Sequence, residues 1–127
     1  MTDIASGFEG YRVLIVEDEI LVAMLLEDML RDLGCEIVAT TARQAEALSV
    51  IAGETVDAAI LDVDLAGEPS FPIAEALAAK SIPYVFSTGY AAADLPADFR
   101  SAPVLRKPFA SADLTAVLRS ARSNTVA

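Results

Sequence analysis

Four short apolar runs in this chain each end on residues that can do chemistry. Val13–Val16 runs into Glu17-Asp18-Glu19, and Ala58–Leu61 into Asp62, with Asp64 two positions on. Val85-Phe86 runs into Ser87-Thr88, and Val104-Leu105 into Arg106-Lys107. A nucleotide-binding unit would place a glycine-rich loop after its first strand, with backbone N–H groups facing phosphate. Three carboxylates do the reverse: they repel an anion and attract a hard cation such as magnesium or calcium. Taken singly, each ending has an ordinary reading as a capping acid, a turn aspartate, a glycine turn or a solvated lysine. Taken together they supply what phosphoryl transfer to a carboxylate needs. A divalent ion neutralises phosphoryl oxygens, an Asp oxygen attacks in line, and a hydroxyl and an ammonium hold the remaining charge.

Composition narrows the chemistry further. The chain has no histidine and one cysteine, Cys35, which removes an internal disulfide, the usual zinc sites and histidine catalysis. Nineteen acids against nine bases give a net charge of −10, and no basic cluster exceeds Arg106-Lys107, so nucleic acid is not an expected partner. The longest apolar run, Ile20–Leu26, is far short of the ~20 residues that span a bilayer. Residues 1–10 carry no signal-peptide pattern, and a cytoplasmic protein without a membrane partner is expected.

The elements that must position these residues alternate regularly. Strands are expected at 12–16, 36–40, 58–62, 83–87 and 103–105, and helices at 20–33, 42–51, 73–79 and 112–121. That is a (βα)5 chain: one α/β domain with a doubly wound five-stranded parallel sheet and its site at the carboxyl ends of the strands. The domain is expected over 11–122, with flexible tails at 1–10 and 123–127. Between strands four and five, Pro96 interrupts a run of alanines, and Leu95 and Phe99 are the only large apolar anchors after Tyr90. A proline inside a helix costs ~3 kcal/mol, so this fourth helix should be short or disordered, and 90–102 a mobile switch. On the first helix, Val22, Leu25, Leu26, Met29 and Leu33 form one apolar stripe. Ile20 and Met24 fall on the opposite side, a docking spot for a helical protein partner.

The ordered set Val16-Glu17-Asp18-Glu19, Leu61-Asp62, Ser87-Thr88-Gly89 and Lys107-Pro108-Phe109 resembles the signature of CheY-like response-regulator receiver domains, over about residues 10–122. The resemblance implies a flavodoxin-like receiver fold with Asp62 as phosphoacceptor. It further implies Mg2+ as cofactor, held by Glu17, Asp18, Asp62 and the backbone carbonyl of Asp64. Thr88 would hydrogen-bond the phosphoryl group and Lys107 would pair with it. The implied partners are a sensor histidine kinase or histidine phosphotransfer protein and a downstream protein target of unknown kind. Such a protein is a signalling domain that catalyses only its own phosphorylation and dephosphorylation. Gly67-Glu68-Pro69-Ser70 and Pro83–Tyr90 resemble more narrowly the "FAT GUY" subgroup of single-domain regulators, with Ser87 where that subgroup has alanine. Most receivers carry an aromatic three residues before the lysine; here it is Val104, and Tyr90 is the nearest substitute switch. Two alternatives compete. Asp62-Val63-Asp64 also resembles the motif of haloacid-dehalogenase-like phosphatases, although those place their acidic pair downstream. A pseudo-receiver that only binds a partner is the other.

Overall fold

Arg12–Val16 (β1), Ala58–Asp62 (β3) and Tyr84–Thr88 (β6) carry apolar side chains at successive positions, and only a sheet covered on both faces hides such strands. The computed structural model, described for residues 7–89, 95–99 and 101–125, covers them in that way. The remaining elements are α1 (Ile20–Asp32), β2 (Glu36–Thr41), α2 (Gln44–Gly53), β4 (Asp64–Leu65), β5 (Glu68–Pro69), α3 (Phe71–Ala79), β7 (Val104–Arg106) and α4 (Ser111–Thr125). Five strands form one parallel sheet in the order β2-β1-β3-β6-β7. The winding reverses between β1 and β3, which opens a crevice at the carboxyl ends of those two strands. The expected α/β class and doubly wound flavodoxin-like sheet are what the chain forms.

Alternation along each strand sorts the core into two layers. Leu14, Val16, Leu61 and Phe86 pack with Ala47 and Ile51 of α2 and with Ile73 and Leu77 of α3. Val13, Ile15, Ile60, Val85 and Leu105 pack with Leu26 and Leu30 of α1 and with Leu114 and Leu118 of α4. Helix α1 stops where Gly34 takes φ +87°. Gly34 N–H then bonds Arg31 O at 2.9 Å and Cys35 N–H bonds Leu30 O at 3.0 Å, a Schellman closure. A Cβ at Gly34 would also press on Glu9 at 3.2 Å.

Three expectations need correction. Residues 7–10 are not a loose tail: Phe8 is fully buried, and the Arg122 guanidinium lies 4.1 Å over its ring. Gly10 N–H bonds Gly34 O at 2.9 Å, so this segment is tied to the domain. Nor does the last helix stop at 121, since α4 continues to Thr125. Leu25 is not part of the buried stripe. The face of α1 that meets the sheet centres on Ala23, Leu26 and Leu30, which leaves Leu25 42% exposed. A feature not expected at all is a hairpin in the connection after Asp62. Asp64–Leu65 pairs with Glu68–Pro69 across Ala66 (φ 52°) and Gly67 (φ 93°), the two positive values a type I′ turn demands. The expected switch segment lies partly outside the described residues, which omit Tyr90 through Asp94 and Arg100. Within it, Leu95 is buried and Ala97–Phe99 makes a single 3-10 turn, with the Phe99 ring stacked on Phe71 at 4.8 Å.

Candidate functional site

Glu17, one residue past β1, and Asp62, the last of β3, reach the same edge because β1 and β3 are neighbours in the sheet. Asp18 completes a triad whose ligand oxygens all lie within 4.8 Å of one another. Lys107, one residue past β7, sends its ammonium across this edge. Its Nζ stands 3.2 Å from Glu17 Oε1, 3.3 Å from Glu19 Oε1 and 3.6 Å from Asp62 Oδ1. Lys107 N–H also bonds Thr88 O at 2.9 Å, which fixes the lysine's backbone against the end of β6. The peptide bond that follows, Lys107–Pro108, is cis. Asp62, Asp64, Thr88 and Lys107 all line one open cleft of about 500 Å³, together with Asp18 and Glu19.

Electrostatics make Asp62 unusual. Burial, then the negative charge of Glu17, push its carboxyl up to about 7, although Lys107 pulls the other way. Hydrogen bonds with Glu17 and Asp18 add to the rise. Burial alone would lower Lys107, but Asp62 and Glu17 hold its ammonium above the usual lysine value. Glu17 Oε2 accepts from Glu19 N–H at 3.1 Å, whereas its buried Oε1 meets Lys107 without hydrogen-bond alignment and keeps no bonded partner. An acidic pocket of three clustered carboxylates beside one lysine ammonium is built to receive further positive charge.

The structure thus brings Asp18, Asp62, Asp64, Thr88 and Lys107 to one cleft, with Glu17 buried behind them against Lys107. Asp64 differs from the triad in what its carboxylate does, since Oδ1 accepts from Gly67 N–H at 3.0 Å and braces the hairpin turn. Tyr90 lies outside the described residues. Ile20 and Met24 are exposed on α1 beside the cleft, and Leu21 and Leu25 extend them into a four-residue apolar ridge. Sequence reasoning missed Glu19 as a partner of Lys107, although its place in the acidic run was visible. It also missed Glu68, whose carboxylate bonds Arg43 Nε at 3.3 Å and Gln44 N–H at 3.1 Å, clamping the hairpin to the start of α2. Neither partner is near Glu68 in the sequence.

The sequence matches the response regulator receiver domain family over residues 13–119. The chain belongs to the receiver-domain family. Among solved structures this receiver resembles SdrG from Sphingomonas melonis Fr1, with a TM-score of 0.76 and 42% identity over 98% of this chain and all of that one. It also resembles the response regulator PhyR from Brucella abortus, with a TM-score of 0.79 and 27% identity, covering 94% of this chain and 51% of that one. Among curated proteins, the transcriptional regulatory protein PdtaR of Mycobacterium tuberculosis is 35% identical over 116 residues. Those residues are 88% of this chain and 57% of PdtaR, so the receiver spans about half the length of the curated relatives it matches. A receiver is a phosphoryl-accepting module of two-component signalling, and the phosphatase alternative is set aside on that ground. Among the described residues, no helix is long and apolar enough to cross a membrane.

Proposed function

We propose that Asp62 accepts a phosphoryl group from the phosphohistidine of a sensor kinase or phosphotransfer protein, and that the phosphorylated receiver then changes its binding to a downstream protein. The observation that carries this reading is one nearly buried aspartate held between an acidic triad and the Lys107 ammonium, at the mouth of an open cleft. An Asp62 oxygen would attack phosphorus in line, Lys107 would hold charge on the phosphoryl oxygens, and Thr88 would donate its hydroxyl to one of them. Before attack, Asp62 must lose the proton that burial and Glu17 favour.

The donor set fits a magnesium ion: three carboxylates within 4.8 Å, one of them with an unbonded buried oxygen. Glu17, Asp18, Asp62 and the Asp64 carbonyl would hold it. When bound, it supplies the positive charge that lets an anionic donor approach this edge. The α1 ridge of Ile20, Leu21, Met24 and Leu25 supports docking of an apolar helical face from the histidine-bearing protein, next to the cleft.

Intact-mass measurement after treatment with acetyl phosphate tests the reading. One added phosphoryl group is expected with magnesium and none without it, and none in Asp62→Asn under either condition. Label that persists in Asp62→Asn would move the acceptor elsewhere, and no label in the native chain would favour a binding-only module. A second expectation separates the acids. Asp18 is half-buried and lines the cleft, whereas Glu17 is buried and engaged by Lys107. Asp18→Asn should therefore weaken magnesium binding roughly tenfold, the range for losing a charged hydrogen-bonding partner, and Glu17→Gln less. Fluorescence or calorimetric titration of both variants checks it; equal losses would mean that the roles are wrongly divided.

A further inference from the structure

Ser87 sits near the end of β6 with no solvent exposure, and among the described residues its Oγ has no hydrogen-bonding partner. Native proteins seldom leave a buried hydroxyl in that state, and alanine would fill the same space without the penalty. Register places Ser87 directly beside Asp62 on the neighbouring parallel strand. Strand alternation then puts both on the sheet face that Val85 and Ile60 share with Leu105, the face toward which Lys107 also belongs. One other buried side-chain atom among the described residues is unbonded, Glu17 Oε1, and it too faces this spot. Glu17 Oε1 has the Lys107 ammonium at 3.2 Å, whereas the Ser87 hydroxyl beside Asp62 has no hydrogen bond among the described residues. In the resting chain a carboxylate oxygen of Asp62 lies within 4.8 Å of oxygens of Glu17 and Asp18, and no hydrogen bond joins Asp62 to the Ser87 hydroxyl.

We propose that Ser87 is a positioning residue for the phosphorylated state: its hydroxyl, unpaired at rest, donates to an oxygen of the acyl phosphate once Asp62 is loaded. This rests on the reading of Asp62 as the acceptor. During loading a carboxylate oxygen of Asp62 bonds to phosphorus, and the donor's bond to phosphorus breaks, its electron pair leaving with the donor. During hydrolysis water supplies the new oxygen, and inorganic phosphate and the Asp62 carboxylate are released. Ser87 makes and breaks no covalent bond. Satisfied only in the loaded state, it lowers that state relative to the resting one.

Ser87→Ala tests this against the native chain in three measurements. Urea unfolding of the unloaded protein should show equal or higher stability in the variant. Its affinity for beryllofluoride with magnesium, a phosphoryl mimic, should fall about tenfold, the worth of one hydrogen bond to a charged group. The phosphorylated form made with acetyl phosphate should lose its label about tenfold faster. An unchanged or longer lifetime in a variant that labels normally overturns the role of Ser87 and leaves Asp62 as acceptor. Lower resting stability also overturns it, because the hydroxyl would then already have a partner. If the native chain takes no label, the acceptor reading falls and the Ser87 role falls with it.

Discussion

Lys107→Met should destabilise the receiver less at pH 5 than at pH 8, measured without divalent ions. Lys107 is the single cation within 4 Å of Glu17, Glu19 and Asp62 among the described residues. Removing one member of a buried charge cluster costs about 3–5 kcal/mol; partial solvation of Lys107 brings the expected loss at pH 8 to roughly 2–3 kcal/mol. The sign follows from linkage. Asp62 has its carboxyl raised to about 7 in the fold, above its value in the unfolded chain. The folded state therefore binds the extra proton, and stability falls as pH rises through the window between the two values. Without the lysine the carboxyl rises further, so the window widens upward and the loss deepens at neutral and alkaline pH. At pH 5 a protonated Asp62 needs no cation, and the loss that remains is that of the Glu17 contact. Magnesium should restore part of the loss at pH 8 and little at pH 5. Urea unfolding at the two pH values decides it, and a pH-independent loss would show that Lys107 contributes by packing alone.

A loss of about 3–5 kcal/mol is expected for Phe8→Ala, the usual cost of emptying a fully buried phenylalanine site. For a domain of this size that lowers Tm by roughly 11–19 °C. Phe8 does more than fill space. Its ring packs against Tyr11 at 5.2 Å and under the Arg122 guanidinium, and Arg122 Nη1 donates to Gly7 O at 2.9 Å. Deleting the ring also removes the surface on which Arg122 rests. A frayed N-terminal segment would make the substitution almost silent, so a change below about 1 kcal/mol in urea unfolding would undock residues 7–10.

These cases show which features the sequence could carry on its face. The five sheet strands were legible because burial on both faces demands unbroken apolar runs, and the winding order then fixed which strand ends meet. Glu17, Asp18, Asp62, Thr88 and Lys107 could be found for that reason: each stands at a strand end, and the topology gathers strand ends. Phe8 could not. It is one apolar residue between Gly7 and Glu9-Gly10, and its burial depends on α4, more than a hundred residues away. The hairpin after Asp62 was hidden for another reason: two-residue strands have no periodicity, and nothing in the type of Ala66 announces a φ of 52°. The helix wheel placed Leu25 inward because it ranks hydrophobicity and ignores which turn of α1 the sheet actually meets.

The Gly7–Arg122 contact has a practical consequence for engineering. Helix α4 returns antiparallel to the strands, so its last turns reach the edge where β1 begins, opposite the acidic cleft. Gly7 and the last turns of α4 therefore share one pole of the domain. A short linker could join those ends, and the chain could be reopened in a surface loop as a circular permutant. A fluorophore or tether at that pole would leave the cleft and the α1 ridge clear for an incoming protein.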